Sequence, residues 1–262
     1  MPAFTDQTGH TINLSSKPVK IISLVPSQTE LLYDLGLDQE VCGITSFCKH
    51  PDQWFRHKTR IGGTKKLHLD KIRLIQPDLI LANKEENDRD QIETLQKEFN
   101  VWTSDIHNIT TALEMIRAVG DMTGTYDAAE SLTGKIKSAF AIQKPEPVSS
   151  AYLIWNEPLM VVGGDTFIHS MMLEAGFSNV FGDKKRYPVI TAGDIRNSSC
   201  RCLLLSSEPF PFTEKHKQSF TELFPGIQII LADGEMFSWY GSRMQLAPAY
   251  FTALRKAIQL NH

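Results

Sequence analysis

Short, nearly unbroken apolar runs alternate along this chain with stretches in which apolar residues recur every three or four positions. The runs fall at residues 21–25, 79–82 and 101–104 in the first half and at 152–155, 202–205 and 228–231 in the second. Runs this short, apolar on both faces, predict strands covered on both sides, as in parallel sheets. Between them lie helical stripes, such as Ile92, Leu95 and Phe99. Strand alternating with helix predicts an α/β fold with parallel sheets.

The middle of the chain differs. Residues 111–143 carry no strand pattern. Leu113, Ile116, Val119 and Gly120 mark one helical stripe, and Thr123-Gly124-Thr125 a break. Ala128, Leu132, Ile136, Ala139 and Phe140 mark a second stripe. Lys144-Pro145-Glu146-Pro147 ends it, because proline cannot continue a helix. The second stripe predicts a helix of about five turns. The reading is an N-terminal lobe at 1–124, a connecting helix at 125–144 and a C-terminal lobe at 145–262.

A weak internal repeat supports two lobes. Asp70 precedes the run Leu79-Ile80-Leu81-Ala82, and Asp194 precedes Leu203-Leu204-Leu205. The acids are offset by 194 − 70 = 124, and the runs by 203 − 79 = 124. So long a period suits two similar lobes better than a solenoid, and a cleft between lobes is where small ligands bind.

Loops at strand ends hold the candidate chemistry, because open α/β sheets bind ligands beyond the carboxyl ends of their strands. The most unusual is Asp233-Gly234-Glu235-Met236-Phe237-Ser238-Trp239-Tyr240-Gly241-Ser242-Arg243. Three aromatics and one arginine suit a flat ligand with an anionic or amide rim. The alternative is that Phe237 and Trp239 fill the space between helix and sheet. Gln28 follows the first strand, Phe47 and His50 lie after residues 41–45, and Thr64 lies in Gly62-Gly63-Thr64. Trp155-Asn156 and Tyr187 occupy comparable places in the second half.

Composition narrows the classes. The 262 residues, 42% hydrophobic, suffice for one large domain or two small ones. A net charge of −3 gives no footprint for nucleic acid. No apolar run approaches the ~18 residues of a membrane helix. The first twenty residues do not read as a secretory signal, so a cytoplasmic location is expected unless a signal was removed. Four cysteines agree with a reducing compartment. Cys200 and Cys202 share a strand face, but without Cys-x-x-Cys spacing they read as small buried hydrophobes. Phosphate-loop, dinucleotide, serine-elbow and His-Glu-x-x-His motifs are absent, and no catalytic or metal site is assigned. His50, His57 and His68 read as solvated or core histidines.

In order and spacing, four segments resemble the helical-backbone (class III) substrate-binding proteins of ABC transporters, the vitamin B12-binding and iron-siderophore receptor family. They are Lys20-Ile21-Ile22-Ser23-Leu24-Val25-Pro26-Ser27-Gln28-Thr29, then Ile61-Gly62-Gly63-Thr64, then Leu69-Asp70-Lys71-Ile72-Arg73 with Gln76-Pro77-Asp78, and Gly176-Phe177-Ser178-Asn179. The resemblance spans about residues 19–258 and is nearest to the cobalamin branch. It implies two Rossmann-like lobes joined by one long backbone helix, with ligand in the cleft between them. It places Phe47, Trp155, Tyr187, Phe237, Trp239, Tyr240 and Arg243 at the ligand. It also implies that Asp70 and Asp194 dock on arginines of a permease, where the family usually carries glutamate. Thr64 stands where the B12-binding relatives carry tryptophan. The expected function is non-enzymatic binding of a corrinoid or similar metal chelate by a monomer, with no cofactor of its own. An iron-siderophore or haem receptor is the alternative. A second alternative is a cytoplasmic cofactor-handling protein or enzyme on the same scaffold, using Cys48 or His50.

Overall fold

The computed structural model describes residues 2–142 and 146–259, which divide into two compact units. The first comprises residues 1–106, 110–137 and 240–243, and the second 107–109, 138–239 and 244–262.

The first unit opens with a short antiparallel hairpin, β1 (Ala3–Thr5) and β2 (Thr11–Asn13). Then come β3 (Ile21–Ser23), α1 (Pro26–Asp34), β4 (Val41–Ile44), α2 (Asp52–His57) and β5 (Thr59–Arg60). After these follow α3 (Leu69–Ile75), β6 (Leu79–Asn83), α4 (Arg89–Gln96) and β7 (Val101–Ser104). The strands form one parallel sheet in the order β5-β4-β3-β6-β7. Every residue of β3, β6 and β7 is buried, which explains their mostly apolar runs; the polar exceptions, Ser23, Asn83, Thr103 and Ser104, fall at the carboxyl ends.

The predicted central helices are α5 (Ile109–Thr123) and α6 (Tyr126–Phe140), separated at Gly124, whose φ is +66°. They cross closely. A Cβ on Gly120 would lie 2.5 Å from that of Ala129, and Arg117 Nε meets Glu130 Oε1 at 2.5 Å. The body of α6, through Lys137, belongs to the first unit. The predicted end of this helix, at residues 143 and 144, lies outside the described residues.

The second unit holds β8 (Val148–Trp155), β9 (Met160–Val161), α7 (Phe167–Glu174), β10 (Phe177–Asn179), α8 (Ala192–Asn197) and β11 (Cys202–Ser206). It continues with α9 (Glu214–Leu223), β12 (Gln228–Ala232), α10 (Gly234–Ser238), a 3₁₀ turn (Ser242–Gln245) and α11 (Ala247–Gln259). The parallel order is β10-β8-β11-β12, with β9 antiparallel on β8. This matches β4-β3-β6-β7 of the first unit strand for strand. The repeat seen as a 124-residue offset is therefore a repeat of topology. The edges differ: β5 extends the first sheet in parallel, whereas β9 folds back on the second. Among the described residues, no helix is long and apolar enough to cross a membrane.

Candidate ligand-binding site

In the first unit, a buried amide and hydroxyl network closes the carboxyl ends of the central strands. Gln28 Nε2 donates to Ser104 Oγ at 2.6 Å and to Ala82 O at 3.3 Å. Asn83 Nδ2 reaches Ser104 Oγ at 3.0 Å. Asn87 Oδ1 accepts from Asn83 N at 2.8 Å, while its Nδ2 donates to Leu24 O and Thr64 O. Gln28 is thus an interior residue of α1 that ties the ends of β6 and β7 together. Thr64, half-buried, is held through its carbonyl. Above this layer Phe47 is 56% exposed, and its ring lies against Gly63, where an added Cβ would sit 3.1 Å from Cε2. His50 is partly exposed nearby in sequence. Cys48 is buried beside Thr29 Oγ1 (3.0 Å) and Thr45 Oγ1 (3.1 Å), and burial pushes its thiol up. That is the opposite of what a nucleophilic cysteine needs.

In the second unit the strand ends carry rings instead of amides. Trp155, the last residue of β8, is 39% exposed and donates Nε1–H to Glu157 O at 3.1 Å. Its ring meets Phe210 edge to face, with centroids 5.6 Å apart. Asn156 follows it, half-buried. The loop after β11 is laid over the sheet by Phe210 N–H on Ile154 O and Phe212 N–H on Ser206 O. Tyr152 is wholly buried and donates to Ser206 Oγ, which donates to Glu208 O at 2.6 Å. The Glu208 carboxylate accepts from Ser238 Oγ (2.5 Å) and Trp239 Nε1 (3.0 Å). Burial, helped by the neighbouring charges of Glu235 and Asp233, raises its pKa against the lowering effect of Ser238. Glu208 and Phe210 were not among the expected residues, although they directly follow the apolar run of β11.

Tyr187 is half-buried, with the Arg186 guanidinium 5.7 Å from its ring centre. Its loop is pinned by Arg186 N–H on Asp165 Oδ1 and by Gly163 N–H on Arg186 O. Gly163 permits this: a Cβ there would fall 2.6 Å from Lys184 O and 2.9 Å from Arg186 O.

The expected aromatic loop divides between the units. Phe237 is 0% exposed and packs on Tyr152 (5.0 Å) and Phe251 (4.7 Å), so it fills the space between helix and sheet. That correction follows from its place on α10, which turns its ring inward. Trp239 ends the second-unit stretch on Glu208. Tyr240 begins the four residues that belong to the first unit. Burial holds its phenol well above the ordinary value, against the lowering effect of the neighbouring Ser27 and Ser104. Gly241, at φ +114°, brings its Cα against Ser27 O, where a Cβ would stand 3.2 Å away. Arg243 forms a two-pronged ion pair with Glu30, at 2.8 and 2.6 Å. Expected at a ligand's polar rim, it instead anchors this segment to α1.

The two acids are not equivalent. Asp194 is the third residue of α8 and accepts from Thr191 N and Oγ1, both at 2.7 Å, while Thr191 Oγ1 accepts from Asp194 N. This capping box lowers the Asp194 pKa, chiefly through the Thr191 backbone hydrogen bond. Asp70 caps nothing. Its side chain is 95% exposed and meets Arg73 at 3.0 Å, which is itself held by Glu98. Among the described residues, no group of three or more His, Cys, Asp or Glu could hold a metal ion.

Residues 21–222 match the periplasmic binding protein family. The chain belongs to that family, the one its motifs resemble: substrate-binding proteins, not enzymes. The uncharacterized ABC transporter substrate-binding lipoprotein YvrC of Bacillus subtilis is 27% identical over 199 residues, covering 71% of this chain and 63% of the relative. This chain therefore spans just under two thirds of that relative's length. A vitamin B12-binding protein of Vibrio parahaemolyticus is 23% identical over 220 residues, 80% of this chain and 76% of the relative. An ABC-type Fe3+-hydroxamate transport protein of Saccharomonospora viridis superposes with a TM-score of 0.76 at 16% identity, covering 96% of this chain and 98% of the other. That likeness shows the fold.

Proposed function

We propose that this chain is the substrate-binding component of an ABC-type transport system, acting outside the cytoplasm, and that its ligand is a corrinoid. The observation that carries the reading is the placement of exposed rings. Phe47 follows β4 and Trp155 ends β8, at the carboxyl edge of each parallel sheet, where open α/β folds take ligands. A solvated aromatic face at such a point stabilises the protein little and suits a bulky, largely apolar macrocycle. His50 and Asn156 stand beside these rings in sequence, Thr64 follows the Gly63 against which Phe47 lies, and Tyr187 lies in a loop of the second unit; we take all four as polar partners for peripheral amides. The vitamin B12-binding relative points the same way. An anionic siderophore would call for uncommitted arginines, and Arg243 is taken by Glu30.

The test is calorimetric titration with cobalamin, cobinamide, haem and a ferric hydroxamate. A corrinoid should bind more tightly than ~100 μM, about −5.5 kcal/mol. Phe47→Ala and Trp155→Ala should each weaken it at least tenfold, about 1.4 kcal/mol. Binding of haem or hydroxamate alone overturns the corrinoid assignment.

A further inference from the structure

Phe210, Phe212 and His216 form an aromatic corner with Trp155 that no motif of the family supplied. Phe210 lies 5.6 Å from Trp155, 4.7 Å from Phe212 and 5.2 Å from His216, each at a steep interplanar angle. Rings that meet at 60–74° place an edge of one against a face of the other, so each contact covers at most one face of one ring and none stacks face on face. Phe212 is buried and backs the corner. Trp155 is exposed, and Phe210 and His216 are half-buried.

The imidazole has a defined tautomer. His216 Nδ1 accepts the Thr213 backbone N–H at 3.0 Å, in the place where glutamate or glutamine completes a capping box at the start of α9. An accepting Nδ1 carries no hydrogen, so the neutral ring bears its proton on Nε2. Nε2–H is then a donor and not a free lone pair. It suits an oxygen at a ligand's rim and not the metal at its centre.

We infer that Trp155, Phe210 and His216 form one subsite, in which the two rings take the apolar face of a macrocyclic chelate and His216 Nε2–H donates to a carbonyl or carboxylate oxygen on its periphery. The inference rests on the proposed binding function and adds Phe210 and His216 to it. Corrin amides and porphyrin carboxylates share this chemistry, so cobinamide and haem are separate arms of the experiment.

Because the capping role and the donor role reside on different nitrogens, two substitutions separate them. His216→Glu keeps the cap and removes the donor. His216→Gln keeps both, with Oε1 accepting from Thr213 and Nε2 donating outward. Titrate wild type, H216E, H216Q and Phe210→Ala with each ligand, and record their thermal unfolding. The expected result is at least tenfold weaker binding for H216E and F210A, near-native affinity for H216Q, and an unchanged melting temperature for both His216 variants. Native affinity in H216E and F210A, with wild type binding well, overturns the subsite alone. No binding of either ligand by wild type overturns the subsite and the corrinoid function together.

Discussion

The carboxyl ends of the two sheets, equivalent in topology, are closed by opposite chemistry. In the first unit Gln28, Asn83, Asn87 and Ser104 hydrogen-bond to one another and to the strand-end backbone. In the second, Tyr152, Trp155, Phe210 and Phe237 occupy the same level, with one carboxylate, Glu208, enclosed among them. A buried amide network holds loops by direction, whereas aromatic packing holds them by area and leaves ring faces for a ligand. A duplicated scaffold thus fixes where the strand-end loops are and leaves open what they do.

The comparison breaks most sharply at Asn87. Replacing it with alanine leaves Asn83 N–H and the Leu24 and Thr64 carbonyls without their partner. We expect a loss of about 2–4 kcal/mol in urea unfolding, since each orphaned buried group costs about 1–3 kcal/mol. A loss below about 1 kcal/mol would mean that the amide network does not organise this edge.

Next in size is Glu208. Its raised pKa means that the fold favours the protonated form. The stability this brings is complete below the ordinary glutamate range and is lost as pH rises through the raised value. Glu208→Gln should therefore unfold at a higher temperature than wild type at neutral pH and at the same temperature in acid. Parallel pH curves for the two proteins would refute an enclosed carboxylate.

The smallest effect on stability concerns the acids. Asp194→Ala should lower the melting temperature slightly, and Asp70→Ala should leave it unmoved, because only Asp194 serves a capping box. The Asp194 contribution is present above the ordinary aspartate value and fades as pH falls through the lowered one. On transport the order reverses if both acids dock a permease. Asp70→Arg with Asp194→Arg should abolish uptake and spare ligand affinity, whereas normal uptake would leave the acids a local role only.

Much of the fold was legible in the chain. All six apolar runs are strands, and the break at Thr123-Gly124-Thr125 separates two helices. The short strands β1, β2, β5, β9 and β10 were not, because segments of two or three residues outside an apolar run carry no period. The exposure of Phe47 and Trp155 was legible because each stands at or just past the carboxyl end of a strand, where a ring has less core to fill. Glu208 and Phe210 follow β11 by the same logic. Phe237 and Arg243 could not be assigned, since a ring or a guanidinium on a loop looks the same whether it meets a ligand or a neighbour.

By itself the sequence determined the parallel strands, the duplicated order and the family, because these rest on local periodicity and on residue order. Only the tertiary structure decided that Arg243 belongs to Glu30, that Phe237 is core, and that Asp194 caps a helix while Asp70 does not. The ion pair and the cap depend on which polar group a fold brings within hydrogen-bonding reach, and the Phe237 ring on which apolar faces it brings together. Glu30 and Arg243 are 213 residues apart in the chain, so no local pattern joins them.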